Sequence, residues 1–181
     1  MAKFSDKLDG IHRDFIANQK MFFTSTAPVS GRINLSPKGM DSFRIIDDNT
    51  VAYLDVTGSG NETAAHLLEN GRITVMFCSF DEKPLILRLY GHGESIPTHH
   101  ATWKDYVDLF TLLPGTRQII LIHVDSVQTS CGYAVPRYDY TGERDTLERW
   151  AEKKGEAGIR DYWKEKNQTS IDGLKTGLIE D

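Results

Sequence analysis

The spacing of apolar residues changes near position 20, from a helical period to a strand-like one. In FSDKLDGIHRDFIANQ, Leu8, Ile11 and Phe15 recur at helical spacing, and Ser5 is placed to cap that helix. The segments that follow are short, rich in β-branched or aromatic residues, and separated by turn sequences. They are MFFTST, RINLS, DSFRII and TVAYLDV. This pattern predicts an N-terminal helix followed by a meander of antiparallel strands.

The segment that begins at Val51, VAYLDVTGSGNETAAHLLENGRITVMF, predicts a strand, a turn containing glycine, a helix and a second strand. Ser59 and Glu62 match the Ser-x-x-Glu capping box at the start of that helix. Gly71 stands where a helix commonly ends in the left-handed conformation. The turn therefore leads directly into a helix N-terminus.

The remaining pattern predicts more strands and three further helices. The strands are RITVMFCSF, PLILRLYGHGESI and QIILIHVDSVQTS. The helices run from Trp103 to about Leu113 and over RDTLERWAEKK and GIRDYWKEKN, and SIDGLKTGLIED is predicted as a loop. Six or seven strands without regular β-α alternation favour a single mainly β domain over residues 1–181. We expect a closed or nearly closed barrel with flanking helices.

Composition narrows the possible partners and the compartment. The 181 residues are 39% hydrophobic and 26% charged, and the net charge of -5 argues against nucleic acid or an anionic membrane as the main partner. No apolar run approaches the ~20 residues of a membrane span, and charges interrupt the N-terminal segment, unlike a signal peptide. These features predict a cytoplasmic protein in which Cys78 and Cys131 are free thiols.

The turn TGSGNET has the composition of an anion site. Amide groups at a helix N-terminus are unpaired and bind phosphate, and small residues allow it to approach the backbone. Side-chain donors are also present at Thr57, Ser59, Asn61 and Thr63. Two alternatives remain: a plain strand-to-helix connection, and a dinucleotide fingerprint in which Thr63 replaces the third glycine. A P-loop is excluded because Gly-Lys-Ser/Thr is missing.

Taken in order, four segments resemble the pyridoxamine 5'-phosphate oxidase-like family of FMN-binding split-barrel proteins, nearest to its uncharacterised bacterial branch. They are FFTSTAPVSGRINLSPKG, TVAYLDVTGSGNETAAHLLENGRITVMF, ILRLYGHG and VQTSCGYAVP. The resemblance runs from about Met21 to the tail. It implies a six-stranded antiparallel split barrel that forms a homodimer, with FMN bound at the interface. Related barrels bind a deazaflavin or haem, so these remain alternative cofactors.

The resemblance also implies the residues that hold the cofactor. The strand GRINLS would run beside the isoalloxazine ring, with Arg32 contacting the flavin and Asn34 and Ser36 bordering the ring. The backbone near Val56 would lie at the ring edge. The turn would hold the phosphate through Thr57, Ser59, Gly60 and Asn61.

This chain departs from the family pattern at the phosphate. Gly60 and Asn61 stand where the oxidases carry arginine and lysine. We therefore expect Lys38, Arg32, Arg88 and the helix N-terminus to supply the missing positive charge. Arg88 lies in an apolar strand and Lys38 in a turn, so solvent-facing positions are the alternative for both.

The family's C-terminal tryptophan and Arg-x-His motif have no counterpart in this chain, which argues against a true pyridoxamine phosphate oxidase. The resemblance instead implies an FMN-dependent, flavin reductase-like oxidoreductase with a small-molecule redox substrate and no assigned catalytic residue. A non-catalytic flavin- or haem-binding module and a barrel that has lost its cofactor are the alternatives. Cys131 and Tyr133 are candidates for the substrate pocket, or for the core. The histidines lack ligand spacing, so no metal site is predicted.

Overall fold

The computed structural model of the chain describes residues 2–179. Within them, eight strands form one antiparallel sheet in the order β3-β2-β6-β7-β8-β5-β4, with β1 paired to β8. The strands are β1 (Lys3–Ser5), β2 (Phe22–Thr26), β3 (Asn34–Lys38), β4 (Phe43–Ile45), β5 (Thr50–Val56), β6 (Arg72–Cys78), β7 (Ile86–Pro97) and β8 (Thr116–Ser130). β3 and β4 are the two ends of this path, so the sheet is open between them.

Four helices flank the sheet in the described part of the chain. They are α1 (Gly10–Asn18), α2 (Glu62–Asn70), α3 (Trp103–Tyr106) and α4 (Thr146–Lys166), and a 3-10 turn (Val107–Leu109) follows α3. In residues 2–179, no helix is long and apolar enough to cross a membrane. The mainly β, antiparallel architecture predicted from the strand pattern is confirmed, with eight strands instead of six.

The main core lies on one face of the curled sheet and a second cluster lies on the opposite face of β5 and β8, because side chains alternate between the faces of each strand. In β6, Ile73, Val75 and Phe77 are buried, whereas Thr74 and Met76 are half-buried. Aromatic rings of Phe22, Phe43, Tyr53 and Phe77 pack edge to face or tilted in this core. A second cluster around Leu54, Ile119 and Phe110 packs beneath α3.

In residues 2–179, no helix lies over the centre of the opposite face of six strands. Its register aligns one row of side chains across the sheet: Pro37, Phe23, Met76, Arg88, Gln128 and Phe4. A second row contains Leu35, Ser25, Thr74, Tyr90 and Ser126. Phe4 and Leu35 are 67% and 65% exposed, so apolar surface remains at both ends of these rows. We call these two rows the open face.

Two sequence predictions are wrong in detail. α1 begins at Gly10 and is capped by Asp9, whose side chain accepts from the His12 amide, whereas Ser5 belongs to β1. The helix predicted from Trp103 to about Leu113 ends at Tyr106 and continues as the 3-10 turn. The two short tail helices are confirmed as the two arms of α4, which is kinked at Gly155, where φ is 65° and ψ is 169°.

The helix after the glycine turn is present, but its start differs from the prediction. Asn61 is the N-cap residue of α2 and makes no side-chain cap hydrogen bond. The capping box of Ser59 and Glu62 is therefore wrong, since Glu62 is the first helical residue. At the other end Gly71 has φ 72°, which confirms the left-handed helix end.

Candidate functional site

A cleft of about 600 Å³ opens where the β5–α2 turn meets β3 and the end of α4. We call it the turn cleft. Its lining combines hydroxyl groups, glycines and charged side chains from these elements: Asn34, Ser36, Pro37, Lys38, Gly58, Ser59, Gly60, Glu62, Thr63, Arg117, Lys166, Thr169, Ser170 and Ile171. The structure thus leaves open space at the entrance of α2.

Five of the residues predicted to bind a cofactor meet in the turn cleft. Asn34, Ser36 and Lys38 alternate along β3 and are half-buried, so their side chains share one face of this edge strand. Ser59 and Gly60 come from the turn on the opposite wall. The β3 residues and the turn residues are separated by more than twenty positions in sequence, and the pairing of β3 with β2 brings the strand to the turn.

Three other predicted residues lie behind the cleft or at its border. Val56 is half-buried at the end of β5. The Thr57 hydroxyl donates to the Gly115 carbonyl at 2.7 Å and accepts from Trp163 Nε1 at 2.7 Å, so it is fully engaged. Asn61 is buried, and its Oδ1 accepts from Gln118 Nε2 at 2.7 Å. These contacts hold the turn in place.

The two predicted arginines do not line the turn cleft. Arg32 is exposed and forms an ion pair with Asp172, which also accepts the Arg32 amide at 2.7 Å. The hydrogen bond from this amide is the main cause that holds the pKa of Asp172 below its ordinary value, and the charge of the Arg32 guanidinium adds to the effect. Arg88 lies on the open face, where Nη1 donates to Ser130 Oγ at 3.3 Å.

The predicted substrate-pocket residues also lie elsewhere. Tyr133 is 83% exposed and Cys131 is exposed, in the segment that follows β8. Cys78, by contrast, is buried, and burial raises the pKa of its thiol. Both cysteines are free, as predicted. Within residues 2–179 no group of three or more His, Cys, Asp or Glu side chains could hold a metal ion.

A buried ion-pair network supports the floor of the cleft. Asp55 is buried in β5, and its carboxylate accepts from Lys38 Nζ at 2.6 Å and from Arg117 Nε at 2.7 Å. Burial alone would raise the pKa of Asp55, but the charges of Arg117 and Lys38 and their hydrogen bonds outweigh it and hold that pKa well below the ordinary value. Asp55 therefore stays ionised between two cations.

Arg117 also fixes the turn itself. Its Nη1 donates to the Gly60 carbonyl at 2.8 Å and to Asn167 Oδ1 at 3.0 Å. Asn167 in turn donates from Nδ2 to the Gly58 carbonyl at 3.2 Å. The guanidinium and the residue after α4 thereby fix both glycine carbonyls of the turn.

The cleft lining is positive overall in the described residues. Lys38, Arg117 and Lys166 provide three cations, and Glu62 is the carboxylate among them. Both oxygens of Glu62 accept from the Ile171 amide, at 3.0 and 3.2 Å, which holds this carboxylate toward the tail. The positive charge therefore collects on the side of β3 and β8.

A directed hydrogen-bond chain runs from the cleft into the core. Ser36 Oγ donates to Asn34 Oδ1 at 2.9 Å, and Asn34 Nδ2 donates to Thr26 Oγ1 and Thr63 Oγ1 at 3.2 and 3.0 Å. Thr26 Oγ1 then contacts Nδ1 of the buried His66 at 2.9 Å. Because Ser36 uses its proton on Asn34, its oxygen faces the cleft as an acceptor.

A larger cavity of about 1020 Å³ adjoins the turn cleft, and we call it the aromatic cavity. Pro37 and Lys38 line both spaces, so β3 is the wall between them. Its other walls come from the end of α1, β2, the residues after β3, the segment after β6 and the 138–150 segment. They carry Met21, Phe23, Met40, Phe80, Tyr138, Tyr140 and Trp150.

Comparison with known proteins decides the family. A sequence model described as pyridoxamine 5'-phosphate oxidase matches residues 8–131, more than half of the chain. The chain belongs to the pyridoxamine 5'-phosphate oxidase family. It is 40% identical over 194 aligned positions to the pyridoxamine 5'-phosphate oxidase family protein ustO of Aspergillus flavus, covering 96% of this chain and 77% of that relative.

Solved structures show that proteins of similar fold are known. HupZ from Group A Streptococcus matches with a TM-score of 0.53 at 23% identity, over 67% of this chain and 98% of HupZ. An FAD-binding protein from Mycobacterium smegmatis matches with a TM-score of 0.50 at 13% identity, over 68% of this chain and 96% of that protein. The family resemblance and the split-barrel fold predicted from sequence are confirmed.

In this family member, sequence reasoning missed Arg117, Asp55 and Lys166. Asp55 had a detectable feature, since a carboxylate inside the apolar strand TVAYLDV requires a buried partner. Arg117 precedes the apolar run of β8, and its partner Asp55 lies 62 positions earlier, which no local pattern shows. Lys166 is one of several lysines in α4, and only the tertiary packing separates it from the others.

Proposed function

We propose that the protein is an FMN-dependent oxidoreductase of the pyridoxamine 5'-phosphate oxidase family, with the flavin phosphate bound in the turn cleft. One observation carries the proposal: Lys38, Arg117 and Lys166 line the same cleft as the hydroxyls of Ser59 and Thr63, at the start of α2. Cations, hydroxyl donors and a helix N-terminus are the groups that bind a phosphate ester.

The donors at this cleft suit a phosphate group despite Gly60 and Asn61. Three cations stand against three carboxylates: Glu62 in the lining, Asp55 beneath it, and the exposed Glu165, whose Oε1 lies 2.8 Å from Lys166 Nζ. The α2 N-terminus adds a partial positive charge and has no side-chain cap that would use its amides. Arg117 and Lys166 thereby take the role expected of Arg32 and Arg88, while Lys38 keeps the predicted role.

Side chains of β3 would orient the ring of a bound flavin. Asn34 is held by Thr26 and Thr63, and Ser36 by Asn34, so both have fixed donor and acceptor directions. The Ser36 oxygen is an acceptor suited to an N–H group at the ring edge. A bound flavin supplies the redox chemistry by taking or giving a hydride. The chain's own residues bind, orient and shield it, and hydride transfer requires no general base from them.

Relatives support a flavin more than any other cofactor. One structural neighbour is named as an FAD-binding protein, and the family is named for an oxidase. Residues 1–181 contain no Arg-x-His motif of the kind expected in the oxidase, and the proposed substrate is a small redox molecule other than pyridoxamine phosphate.

The open face supports a homodimer. Its centre carries Met76, Arg88 and Tyr90, half-buried and with no helix packed over them, and its ends expose Phe4 and Leu35. A second copy of the sheet would cover this apolar and hydrogen-bonding surface. Because β3 belongs to both the open face and the turn cleft, the partner protomer would approach the cofactor site.

The test compares FMN with riboflavin, which lacks the phosphate. We expect purified protein to show a flavin spectrum and to bind FMN at least 10-fold more tightly than riboflavin. Lys166→Ala should weaken FMN about 3- to 10-fold without changing riboflavin, because the solvent-exposed charge is partly screened. Lys164→Ala, on the same helix outside the cleft, is the matched control and should change neither. Equal affinities for FMN and riboflavin would show that the turn cleft does not bind the flavin phosphate.

Reduction separates an enzyme from a binding module. Stopped-flow mixing of the holoprotein with NADH or NADPH should bleach the flavin if the protein is a reductase. A flavin that no nicotinamide reduces would favour the non-catalytic alternative. A haem or deazaflavin spectrum would show that the protein binds one of these cofactors instead of FMN. A colourless protein whose melting temperature does not change on adding FMN would favour a barrel without cofactor.

A further inference from the structure

The aromatic cavity has the size and composition of a small-molecule site. Its volume of about 1020 Å³ is at the upper end of ligand pockets, which are typically about 300–1,000 Å³ and mostly apolar. Aromatic side chains come from β2, from the segment after β6 and from the 138–150 segment, as Phe23, Phe80, Tyr138, Tyr140 and Trp150. Flat rings on several sides favour a flat ligand.

The cavity walls are fixed by contacts of their own. Tyr140 donates to Glu143 Oε1 at 2.9 Å, and Lys20 lies 5.9 Å from the centre of the Tyr140 ring. The ring of Trp150 packs edge to face on Tyr162, with 5.2 Å between ring centres. Phe80 and Tyr138 pack at 5.5 Å, and the Tyr138 amide donates to the Phe80 carbonyl. Tyr138 and Tyr140 remain 66% and 55% exposed, and these contacts reduce the freedom that the rings would lose on binding a ligand.

The charges around the cavity balance. Lys20, Lys38 and Arg144 face Asp81, Asp139 and Glu143 in the described lining. Lys38 is already paired with Asp55 at 2.6 Å, and Tyr140 uses one oxygen of Glu143. No excess of positive charge remains in this lining for a phosphate or carboxylate. The lining thus favours an uncharged ligand over an anionic one.

We propose that the aromatic cavity is the substrate site and that it takes an uncharged, planar aromatic molecule of one or two fused rings. Pro37 and Lys38 place this site directly beside the turn cleft, so the ligand would lie next to the proposed flavin position. The substrate role rests on the proposed function, whereas the binding itself does not require a flavin. The same geometry explains why Cys131 and Tyr133 need not take part, since neither lines the cavity.

The test measures binding of 2-naphthol to the full chain without flavin by titration calorimetry, with 2-naphthalenesulfonate as the anionic probe. We expect 2-naphthol to bind at least 10-fold more tightly than the sulfonate. Trp150→Ala and Tyr138→Ala should each weaken 2-naphthol about 5-fold or more, in line with the loss of one aromatic contact. Circular dichroism of each variant checks its fold, and Tyr138→Ala keeps the test valid if Trp150→Ala unfolds.

Tyr133→Ala, on the same segment as Tyr138 but outside the cavity, distinguishes the aromatic cavity from the substrate pocket predicted at Cys131 and Tyr133. Loss of 2-naphthol binding in Tyr138→Ala with unchanged binding in Tyr133→Ala supports the aromatic cavity. The reverse pattern, equal binding of the sulfonate, or no binding of 2-naphthol overturns it. Because flavin is absent from this titration, these outcomes are independent of the FMN and riboflavin comparison.

Discussion

Arg117 donates its Nε–H to the buried carboxylate of Asp55 across 2.7 Å, and this contact joins β8 to β5 beneath the turn cleft. Gln118 donates to the same carboxylate oxygen at 2.7 Å, and Lys38 donates to the other oxygen at 2.6 Å. One carboxylate therefore positions three side chains of the candidate site. Its removal should affect both stability and cofactor binding.

Asp55→Asn should destabilise the fold by about 3–5 kcal/mol, since it leaves the buried Arg117 and the half-buried Lys38 without their counter-charge. Urea unfolding at neutral pH measures the change. Asp41→Asn is the matched control, because the Asp41 side chain is 88% exposed and pairs with Arg44 at the surface. A loss of less than about 1 kcal/mol in Asp55→Asn would show that the network contributes little net stability.

The same carboxylate makes stability depend on acid pH. Its pKa is lowered in the folded protein, so its contribution is present above the unfolded-state pKa of about 3.9 and is lost as the pH falls through the folded value. We expect the free energy of unfolding of the wild-type protein to fall from about pH 5 downward. In the same range the difference from Asp55→Asn should narrow. Urea unfolding of both proteins from pH 6 to pH 3 measures this, and a constant difference would contradict it.

Gly91 marks a bulge where two long strands approach closely. The pairing of β7 with β8 shifts between Tyr90 and Gly91, and a Cβ at Gly91 would lie 2.0 Å from the His123 carbonyl oxygen. Gly91→Ala should therefore destabilise the fold by about 3 kcal/mol or more, because backbone must move. Gly10→Ala is the control, since nothing lies within 4 Å of its Cβ position, and it should stay within about 0.5 kcal/mol of wild type. Thermal and urea unfolding compare the two, and similar stabilities would refute the close approach.

The elements with a clear period could be predicted from sequence, and the contacts between distant elements could not. The β-branched and aromatic composition of TVAYLDV and the left-handed position of Gly71 are local signals, and both the strand and the helix end are present. β1 has three residues, too few to show a period, and it becomes a strand only because β8 extends far enough to pair with it. α1 begins later than predicted because Asp9 caps it and β1 takes Ser5.

In the candidate site, too, local patterns could be predicted from sequence and contacts between distant elements could not. Alternation along β3 put Asn34 and Ser36 on one face, which the sequence could show. The cations that reach the turn are set by strand order and by the end of α4, so Arg117 and Lys166 replace Arg32 and Arg88. A charged residue in an apolar strand predicts that a partner of opposite charge exists. The identity of that partner depends on which strand lies next to the charged residue.

Substitution of Gly155 tests whether the kink in α4 holds Trp150, a wall residue of the aromatic cavity, against Tyr162. Its φ of 65° and ψ of 169° lie in a region almost restricted to glycine, and nothing lies within 4 Å of its Cβ position, so only the backbone opposes a side chain. Gly155→Ala should cost about 1–3 kcal/mol, or straighten the helix and separate Trp150 from Tyr162. Urea unfolding measures the cost, and the near-UV circular dichroism of the aromatic pair reports a change in its packing. Gly158→Ala, three residues later in the regular helix, should instead gain about 0.5–1 kcal/mol, because its Cβ would make only ordinary contacts with Lys154. If both variants were stabilised equally with an unchanged aromatic spectrum, the kink would not be a feature of the folded protein.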